Sequence, residues 1–584
     1  MNRPDAMHLH KRFKKGNTMK QWTLWLVTLA LAAQAWTLAA ADDYLNVAKV
    51  KGIVFLKDKA DFNREGAPAS EGIYAKGIPM MKTTGFKALV RPYLGQPLTR
   101  ETMLALQKDI VLYYRQHGRP IVDVLYPPQE VSNGVLQVIL LESKLESVRV
   151  EYPKETVPSQ LTNVLTKVAT NGWTPPKYIL DQVHLRAGSV VDMNTLQTDL
   201  DWLNRNPFRK VDVFFAPGTT LGQSAMTLQS REKVYPLEAH VGYDNTGTRF
   251  TDFNRINVGF DWGKALGFMD HVFTYQYVAD PALDHLRAHT ASYTIPLPWR
   301  HELRFMGYYL DVDAEITPQL KQTGASYQTS MRYAIPLPYL GKFQHEFSTG
   351  LDFKSEDSNL AIGGTPVSFP RTEIFQVAFG YTGALGDPLG VTKLGLQLYY
   401  SPGGIGSRNN TEDFQQARSD ATADYVYGRL QIERQTRLPA NFTWLVRGGY
   451  QRASGNLLPT EQWGFGGYAT VRGYHEREVN TDNGWQISNE LRTPELSPLA
   501  DWCKWGYAQD KLQLLAFFDY GWGQLVKPAP SDVYEQRELS SVGCGFRYTA
   551  RKNLEVRFDY GWQLRRYTEI EYGSAWHLAA TLRF

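Results

Sequence analysis

The sequence predicts two small α+β domains followed by an antiparallel transmembrane β-barrel of about sixteen strands. The first observation is that helical periodicity ends near Pro236, after which apolar and polar residues alternate in runs of roughly ten. The second is that short connections between these runs alternate with long ones. The third is that the chain ends in an alternating run whose last residue is Phe584. Alternation, connections of unequal length and an even strand number together indicate a bacterial barrel.

The composition excludes several other classes of protein. The 584 residues carry a net charge of only +4, and no polybasic block follows the N-terminal segment, so nucleic acid is not an expected partner. Aromatic residues make up 13% of a chain whose mean hydropathy is −0.37, which is typical of half-apolar strands rather than membrane helices. The sequence lacks the motifs of serine hydrolases, zinc peptidases and phosphate-binding loops. We therefore expect neither an enzyme nor a metal or other cofactor.

The N-terminus predicts export from the cytoplasm. Basic residues precede an apolar run that ends in a small-residue cleavage pattern, so residues 1–41 are predicted to form a signal peptide, with Met19 as an alternative start. An uncleaved anchor helix is the alternative, although the apolar run is short for a membrane span. The two cysteines, Cys503 and Cys544, lack CxxC or metal-binding spacing and are expected to be free.

Residues 46–144 and 145–234 are each predicted to fold as one β-α-α-β-β unit. In the first unit, the strand KVKGIVFL precedes a helix with Thr99 as its N-cap and Gly118 as its stop. In the second unit, the segment VDMNTLQTDLDWLNRNP repeats apolar residues at helical spacing before a pair of strands. The same order of elements therefore occurs twice before the barrel.

The barrel is predicted over residues 235–584. In the run NLEVRFDYGW, Phe558 and Tyr560 share one face, whereas Arg557 and Asp559 share the other. Charged residues on the inner face require a wet lumen, which the core of a soluble sandwich would not tolerate. The predicted short connections are IPLPWR, IPLPYL, RLPAN and ARK, and the predicted long ones are residues 355–370, 401–421, 453–482 and 523–540.

Five segments carry a resemblance to one transporter family: LNRNPFRKVDVFFAPG, HVGYDNTGTRFT, AHTASYTIPLPWR, VRGY and LAFFDYGWG. In this order they make the chain similar to the two-partner secretion transporters, the TpsB or FhaC/ShlB/HecB-like branch of the superfamily that includes the barrel-assembly protein BamA. The resemblance covers nearly all of the mature chain. VRGY alone is a short motif of moderate specificity, whereas the combined set is specific.

The resemblance implies two periplasmic POTRA domains before a sixteen-stranded outer-membrane barrel. Members of the family export a large, mostly unfolded partner, a secreted TpsA-like exoprotein, through the outer membrane without ATP. We also expect a monomer in outer-membrane lipid, assembled by machinery that reads the terminal strand ending at Phe584. The alternative is a BamA- or TamA-like insertase of outer-membrane proteins, because insertases share VRGY and POTRA units. A passive porin would lack the two small domains.

The resemblance also implies that POTRA domains bind extended client segments by adding a strand to an exposed sheet edge. The candidate edges are Ile121–Tyr126 in the first unit and Val211–Ala216 in the second. The client-binding candidates on these strands are Ile121, Val124, Val211, Val213 and Phe215. The alternative for either strand is ordinary domain sheet without a client contact.

In the family, the long loop that carries VRGY folds back into the lumen, and its arginine contacts the aspartate of an FDxG motif on the inner wall. The corresponding loop here is residues 453–482, with Val471, Arg472, Gly473 and Tyr474 at its centre. In the strand LAFFDYGWG, alternation places Phe518 on the outward face, and Asp519 and Gly521 on the inward face. Arginine suits such a contact because its planar guanidinium pairs with a carboxylate through two parallel hydrogen bonds.

Alternatives remain open for this contact. Arg472 as a solvated residue of an outer loop is the simplest of them. Asp559 is a second inward aspartate in an FDxG sequence, although the surroundings of Asp519 fit the family motif better. Glu490 is either a further member of the same network or one of many residues that line a wet lumen. The family's N-terminal plug helix has no counterpart in the short stretch before the first strand, so either the plug is missing or another segment seals the pore.

Overall fold

The computed structural model describes residues 49–584 except 69, 153–172, 234, 249, 318–319, 358, 363–364, 369–370 and 502–508. The predicted signal peptide (residues 1–41), the alternative start Met19 and Cys503 therefore lie outside the described residues. The chain forms two compact units. Among the described residues, the first contains residues 49–151, Pro175–Leu200 and Val211–Gln229, and the second contains Tyr152, residues 173–174, Asp201–Lys210 and those from Ser230 to Phe584.

The first sheet has four strands covered by two helices. Its elements are β1 (Gly52–Leu56), β2 (Gly72–Lys76), α1 (Thr84–Val90), α2 (Arg100–Gln116), β3 (Val122–Leu125) and β4 (Val135–Glu142). The strand order is β2-β1-β4-β3, so β3 lies at one edge. Strand β2 was not predicted: it pairs parallel to β1 and adds a strand to the β-α-α-β-β pattern. Helix α2 begins as predicted, because the Thr99 hydroxyl accepts a hydrogen bond from the amide of Thr102 at 3.1 Å.

The core of this unit lies between α1, α2 and the sheet. Phe55, Phe86, Ile110 and Tyr114 are fully buried there, and the Phe86 ring meets the edges of Phe55 and Tyr114. Each such side chain contributes about 1.5–3 kcal/mol through removal of apolar surface from water. The predicted apolar face of α2 is thus the face that holds the helix on the sheet.

The second sheet has three strands. Its elements are β5 (Lys144–Glu151), α3 (Pro176–Asp181), α4 (Met193–Leu203), β6 (Arg209–Pro217) and β7 (Gln223–Glu232). The strand order is β5-β7-β6, with β5 parallel to β7, so β6 lies at an edge. Leu196 and Leu203 of α4 are fully buried, as the helical spacing predicts.

The remainder of the chain forms a closed antiparallel barrel of sixteen wall strands. The last strand closes the barrel by pairing with its first, with Arg583 opposite His240. In chain order the elements are β8 (Leu237–Asp244), β9 (Arg255–Gly263), β10 (Val272–Ala279), β11 (Leu286–Pro296), β12 (Glu302–Thr317), β13 (Leu320–Leu340), β14 (Phe343–Glu356), β15 (Asn359–Ile362), β16 (Thr365–Ser368), β17 (Thr372–Asp387), β18 (Gly390–Pro402), α5 (Thr411–Ala417), β19 (Asp424–Arg437), β20 (Thr443–Ala453), β21 (Trp463–Phe465), β22 (Val479–Thr481), β23 (Asn483–Arg492), α6 (Pro498–Asp501), β24 (Asp510–Gln524), β25 (Gln536–Ala550), β26 (Leu554–Gln563) and β27 (Ser574–Arg583).

Four of these strands lie outside the wall. Strands β15 and β16 form a hairpin that pairs with the first residues of β13, while β14 pairs directly with β17. Strands β21 and β22 pair only with each other in the described chain, within the connection between β20 and β23. None of the helices in the described ranges has the length and apolar character needed to cross a membrane.

The predicted alternation of the wall is confirmed. On β24, Phe518 is exposed on the outward face, whereas Asp519 is fully buried on the inward face. On β26, Asp559 is likewise fully buried. Cys544 lies on β25 as a free, exposed thiol. Apolar side chains therefore face the lipid, and charged ones face the lumen.

One predicted connection is wrong, and another is shorter than predicted. IPLPYL is not a link, because β13 continues to Leu340 and the turn to β14 is residues 341–342. The register of β13 with β14 shifts between Leu337 and Leu340, and such an irregularity accommodates proline in a strand. The loop predicted at residues 523–540 is shorter, because β24 reaches Gln524 and β25 begins at Gln536. Strand β13 has 21 residues, about twice the predicted length of roughly ten. It is therefore longer than the roughly 9–11 residues that a strand needs to span the bilayer.

The core of the first unit is testable with two substitutions on one helix. Ile110→Ala removes a fully buried side chain and should destabilise this unit by about 2–5 kcal/mol. Leu112→Ala is the matched control, because Leu112 is 42% exposed on the same helix. Limited proteolysis of the assembled protein in increasing urea should cut the first unit of the Ile110→Ala variant at lower urea. Equal resistance of the two variants would contradict this account of the core.

Candidate functional site in the barrel lumen

The segment between β20 and β23, residues 454–482, folds into the barrel. We call it the VRGY loop; it begins one residue later than predicted because Ala453 still belongs to β20. At its centre Val471 and Tyr474 are fully buried, and Arg472 is only 2% exposed. A solvated outer loop would expose these side chains, so that alternative for Arg472 is wrong.

The Arg472 guanidinium pairs with Asp519 on β24 through two parallel hydrogen bonds. Nε donates to Oδ2 at 2.7 Å, and Nη2 donates to Oδ1 at 2.9 Å. The backbone amide of Arg472 donates to the same Oδ2 at 3.1 Å. The side chain and the main chain of the loop are thus both bound to one carboxylate. This planar geometry is available to arginine and not to lysine.

Further groups of the barrel wall surround the guanidinium. Nη1 donates to Glu490 Oε2 on β23 at 2.7 Å and lies 3.5 Å from Asp559 Oδ1 on β26. Nη2 lies 3.2 Å from the Ser488 hydroxyl, which itself donates to Asp519 Oδ1 at 2.6 Å. The structure therefore brings Glu490 and both inward aspartates to Arg472, with Asp519 as its bidentate partner.

Two other arginines share these carboxylates. Arg547 on β25 donates to both Asp559 oxygens at 3.0 and 2.9 Å and lies 3.7 Å from Glu490. Arg492 donates to Glu490 Oε1 at 2.6 Å. Three carboxylates are thus matched by three guanidinium groups within one network. Buried ionic networks persist when every charge has partners of this kind.

The environment of Arg472 keeps its charge in place. Its guanidinium carbon lies 3.6 Å from the centre of the Phe517 ring, a buried cation–π contact. Burial acts to lower the pKa of Arg472, but the hydrogen bond and charge of Asp519 outweigh burial, so that the pKa lies above its usual value. The loop therefore carries a permanent positive charge at the wall.

Gly473 brings the loop backbone into contact with the wall backbone. Its φ of 87° is a left-handed conformation that glycine adopts without strain. A Cβ at this position would lie 2.9 Å from the carbonyl carbon of Gly561 on β26, so any side chain would displace the loop. The Gly473 amide donates to His577 Nε2 at 3.2 Å, and its carbonyl accepts from Gln563 Nε2 at 2.9 Å.

Apolar and aromatic groups on either side of Arg472 complete the contact. Val471 packs with Phe465 over Gly521, where a Cβ would lie 2.9 Å from each side chain. Tyr474 is buried beside them, and its hydroxyl donates to the carbonyl of Ser540 at 3.2 Å. In the same loop, desolvation by burial raises the pKa of the Glu476 carboxyl to about 7.

A second buried anchor lies nearer the start of the loop. Glu461 is 1% exposed; it accepts hydrogen bonds from Lys354 Nζ on β14 at 2.5 Å and from the Tyr427 hydroxyl on β19 at 2.6 Å. Sequence reasoning missed this glutamate, and it missed Ser488, Arg547, Phe517 and His577 of the central network. Alternation places the strand residues on the inner face, but it does not tell which of the many inward residues meet the loop.

The client-binding candidates belong to the edge strands of the two small sheets, with Ile121 directly before β3. Val124 on β3 and Val211 on β6 are buried in their own sheets, at 2% and 1% exposure. Ile121, Val213 and Phe215 are half-buried. A strand added at these edges would therefore meet the main chain and the half-buried side chains, not Val124 or Val211.

Two protein-family models match the chain. The model described as haemolysin secretion/activation protein ShlB/FhaC/HecB matches residues 222–548, which is more than half of the sequence. The model described as POTRA domain, ShlB-type, matches residues 70–143. The first match includes most of the barrel with the VRGY loop, and the second includes α1, α2, β3 and β4.

Characterised proteins with similar sequences are transporters. The outer membrane transporter CdiB of Escherichia coli O6:K15:H31 (strain 536 / UPEC) is 21% identical over 72% of this chain and 68% of its own length. The heme/hemopexin transporter protein HuxB of Haemophilus influenzae (strain 86-028NP) is 20% identical, with coverage of 79% and 77%. The hemolysin transporter protein HpmB of Proteus mirabilis is 23% identical, with coverage of 73% and 72%.

Solved structures show the same fold. CdiB from Escherichia coli aligns over 97% of this chain and 98% of its own, with a TM-score of 0.68 at 16% identity. CdiB from Acinetobacter baumannii aligns over the same shares, with a TM-score of 0.56 at 15% identity. The predicted family, outer-membrane location and transport function are confirmed. The chain belongs to the haemolysin secretion/activation protein family ShlB/FhaC/HecB. It is a transporter that lies in the outer membrane, with a POTRA-type periplasmic region.

Proposed function

We propose that the chain exports an unfolded TpsA-like exoprotein from the periplasm to the cell surface without ATP, and that Arg472 holds the VRGY loop at the lumen wall for this purpose. The observation that carries the second part is the bidentate pair of Arg472 with Asp519 inside the barrel. The loop neighbours of Arg472, which are Val471, Gly473 and Tyr474, form the rest of the contact together with Gly521 on the wall. We call this contact the latch.

The latch suits a loop that must hold one position without being part of the wall. The wall strands are bonded to each other around the whole barrel, so they do not need Arg472 for closure. If the loop left its place, the buried Asp519 would lose three hydrogen bonds from Arg472. Such a loss costs several kcal/mol unless new partners replace the old ones. The loop therefore stays at the wall until an event such as client entry supplies them.

We further propose that residues 46–144 and 145–234 are two POTRA domains. The ShlB-type POTRA model covers the greater part of the first segment. The second segment has the order β5, α3, α4, β6 and β7, which is the order of the first segment without β2. Two such domains in series would present two sheet edges to a client in the periplasm.

The proposed client contact is β-strand addition at β3 and β6. Both strands lie at the edge of their sheets within the described chain. Main-chain hydrogen bonds would provide affinity for any extended segment, and the half-buried Ile121, Val213 and Phe215 would select among side chains. This mode suits an unfolded substrate, because it requires an extended backbone rather than a folded surface.

Two other parts of the proposal concern the surroundings of the barrel. We propose that it works as a monomer in outer-membrane lipid, because closure leaves the wall without a free strand edge. We also propose that its last strand, which ends beside the exposed Phe584, is the segment that the barrel-assembly machinery binds. No catalytic step is part of this mechanism.

Removal of the latch arginine should reduce export without unfolding the barrel. Arg472→Ala leaves Asp519 without its bidentate partner and Glu490 without one of its arginine partners, and export should fall at least about tenfold. Arg477→Ala is the matched control, because Arg477 is an exposed residue of the same loop. Secreted exoprotein is measured in the medium, and heat-modifiable mobility checks the folded barrel. Normal secretion by a folded Arg472→Ala variant would contradict the latch.

The two aspartates should differ in effect. Asp519→Ala should reduce export as much as Arg472→Ala, and the double variant should be no worse, because both changes break one contact. Asp559→Ala should reduce export less, because the bidentate partner of Asp559 is Arg547. Its contact with Arg472 is a single one at the longer distance of 3.5 Å. Additive losses in the double variant, measured by the same secretion assay, would show that the residues act separately.

Client binding at β6 can be tested by cross-linking. A photoreactive residue is placed at Phe214, which is 48% exposed on β6, and as a control at Leu221, which is 50% exposed between β6 and β7. The partner is a TpsA-like exoprotein co-expressed with the chain and arrested during export. We expect a covalent product at position 214 and little at position 221. Equal products at both positions would argue against strand addition at this edge.

A further inference from the structure

Asp482 is a fully buried carboxylate at the end of the VRGY loop, directly before β23. Its neighbours come from two other connections, which we call the α5 loop (residues 403–423, between β18 and β19) and the β24–β25 loop (residues 525–535). Because wall strands alternate in direction, these two connections and the VRGY loop leave the barrel at the same end. This is the end of the long connections and therefore the outer end.

The Asp482 carboxylate accepts hydrogen bonds from all three loops. Arg418 of the α5 loop donates through Nη1 at 2.5 Å and Nη2 at 2.8 Å. Val526 of the β24–β25 loop donates its amide at 3.0 Å. Within the VRGY loop, the Leu457 amide donates at 3.0 Å and Gln462 Nε2 at 3.3 Å. One side chain therefore joins three segments that are far apart in sequence.

Asn456 joins the same three loops beside Asp482. Its Nδ2 donates to the carbonyl of Ser419 in the α5 loop at 2.9 Å and to that of Lys527 in the β24–β25 loop at 2.7 Å. Its Oδ1 accepts from the Lys527 amide at 2.8 Å. Phe414 of helix α5 packs with Leu457 and Leu458 in one buried cluster. Polar and apolar contacts thus connect the three loops to one another beside Asp482.

These contacts differ in kind from the latch. The acceptors of Arg472 are side chains of wall strands, so the latch holds the loop to the barrel. The donors to Asp482 are groups of loops, so they hold the loops to one another. Loss of the Asp482 charge would remove the carboxylate partner of Arg418, whose side chain is 13% exposed, and leave it the Leu457 carbonyl as an acceptor, whereas the latch residues would keep their partners.

We propose that Asp482 is a positioning residue that fastens the α5 loop, the VRGY loop and the β24–β25 loop into a single cap over the outer end of the pore. The cap moves as one body, so the exported chain passes only when all three loops shift together. The proposal rests on the proposed export function for its purpose, but the cap itself is defined by contacts among the loops. Its first consequence is protection of the Arg418–Ser419 peptide bond.

Trypsin added to intact cells tests the cap. Asp482→Asn removes the charge that binds Arg418, and Asp532→Asn is the matched control, because Asp532 is exposed in the β24–β25 loop and accepts a local hydrogen bond from Ala529. The rate of cleavage after Arg418 is measured by mass spectrometry on heat-modifiable, folded barrels. We expect it to rise at least about tenfold in Asp482→Asn and to stay at the wild-type rate in Asp532→Asn.

Arg418→Lys provides a second variant that keeps the trypsin site and the positive charge. Lysine cannot make the bidentate pair, so cleavage after position 418 should also accelerate. A wild-type rate of cleavage after Arg418 in the folded Asp482→Asn variant would overturn the proposal. If Asp482→Asn does not assemble, the cleavage rate of the Arg418→Lys variant tests the proposal instead. Failure of both to assemble would overturn it too, because the contacts would then belong to the wall. Faster cleavage in Asp482→Asn beside normal export by Arg472→Ala would support the cap while contradicting the latch.

Discussion

A positive charge inside a barrel needs carboxylates at fixed positions, and the pair of Arg472 with Asp519 meets this need. The carboxylates that surround the guanidinium lie on β23, β24 and β26. Their relative positions depend on the register of the wall, in which Ser488 lies opposite Asp519 and Gly545 opposite Asp559. A shift of one residue in any of these strands would turn its carboxylate towards the lipid. The site thus depends on the closed sheet, and the position of the VRGY loop depends on the site.

The loop is held by contacts of different strength and purpose along its length. Glu461 binds the wall near its start, Arg472 binds the wall at its centre, and Asp482 binds neighbouring loops at its end. Gly473 allows the central contact, because its backbone touches the backbone of Gly561 where any side chain would intervene. A loop fastened at three points is more ordered than a flexible outer loop, although glycines make up much of its central sequence. Ionic contacts suit such a loop, because they favour one arrangement over others more than they add to stability.

Much of the fold was predictable from local sequence. The Thr99 cap and the buried face of α2 follow from helical spacing, and the outward Phe518 and inward Asp519 follow from alternation. Strand β2 was not predictable, because GIYAK is short and its pairing partner β1 lies in a separate segment. The continuation of β13 through IPLPYL was also missed. Prolines usually end a strand, but here Pro336 lies in regular register opposite Glu346 and Pro338 falls within the register shift.

By itself, the sequence determined the division into α+β units and barrel, the faces of the wall strands and the loop that carries Arg472. These features depend on residue spacing along a single element, with a period of 3.6 or 2. Only the tertiary structure decided that Asp519 is the bidentate partner, that Asp559 is shared with Arg547, and that Asp482 joins three loops. Arg472 and Asp559 are 87 positions apart, and Arg418 and Asp482 are 64 apart. Contacts over such separations arise from barrel closure and loop packing, which spacing along one strand does not encode.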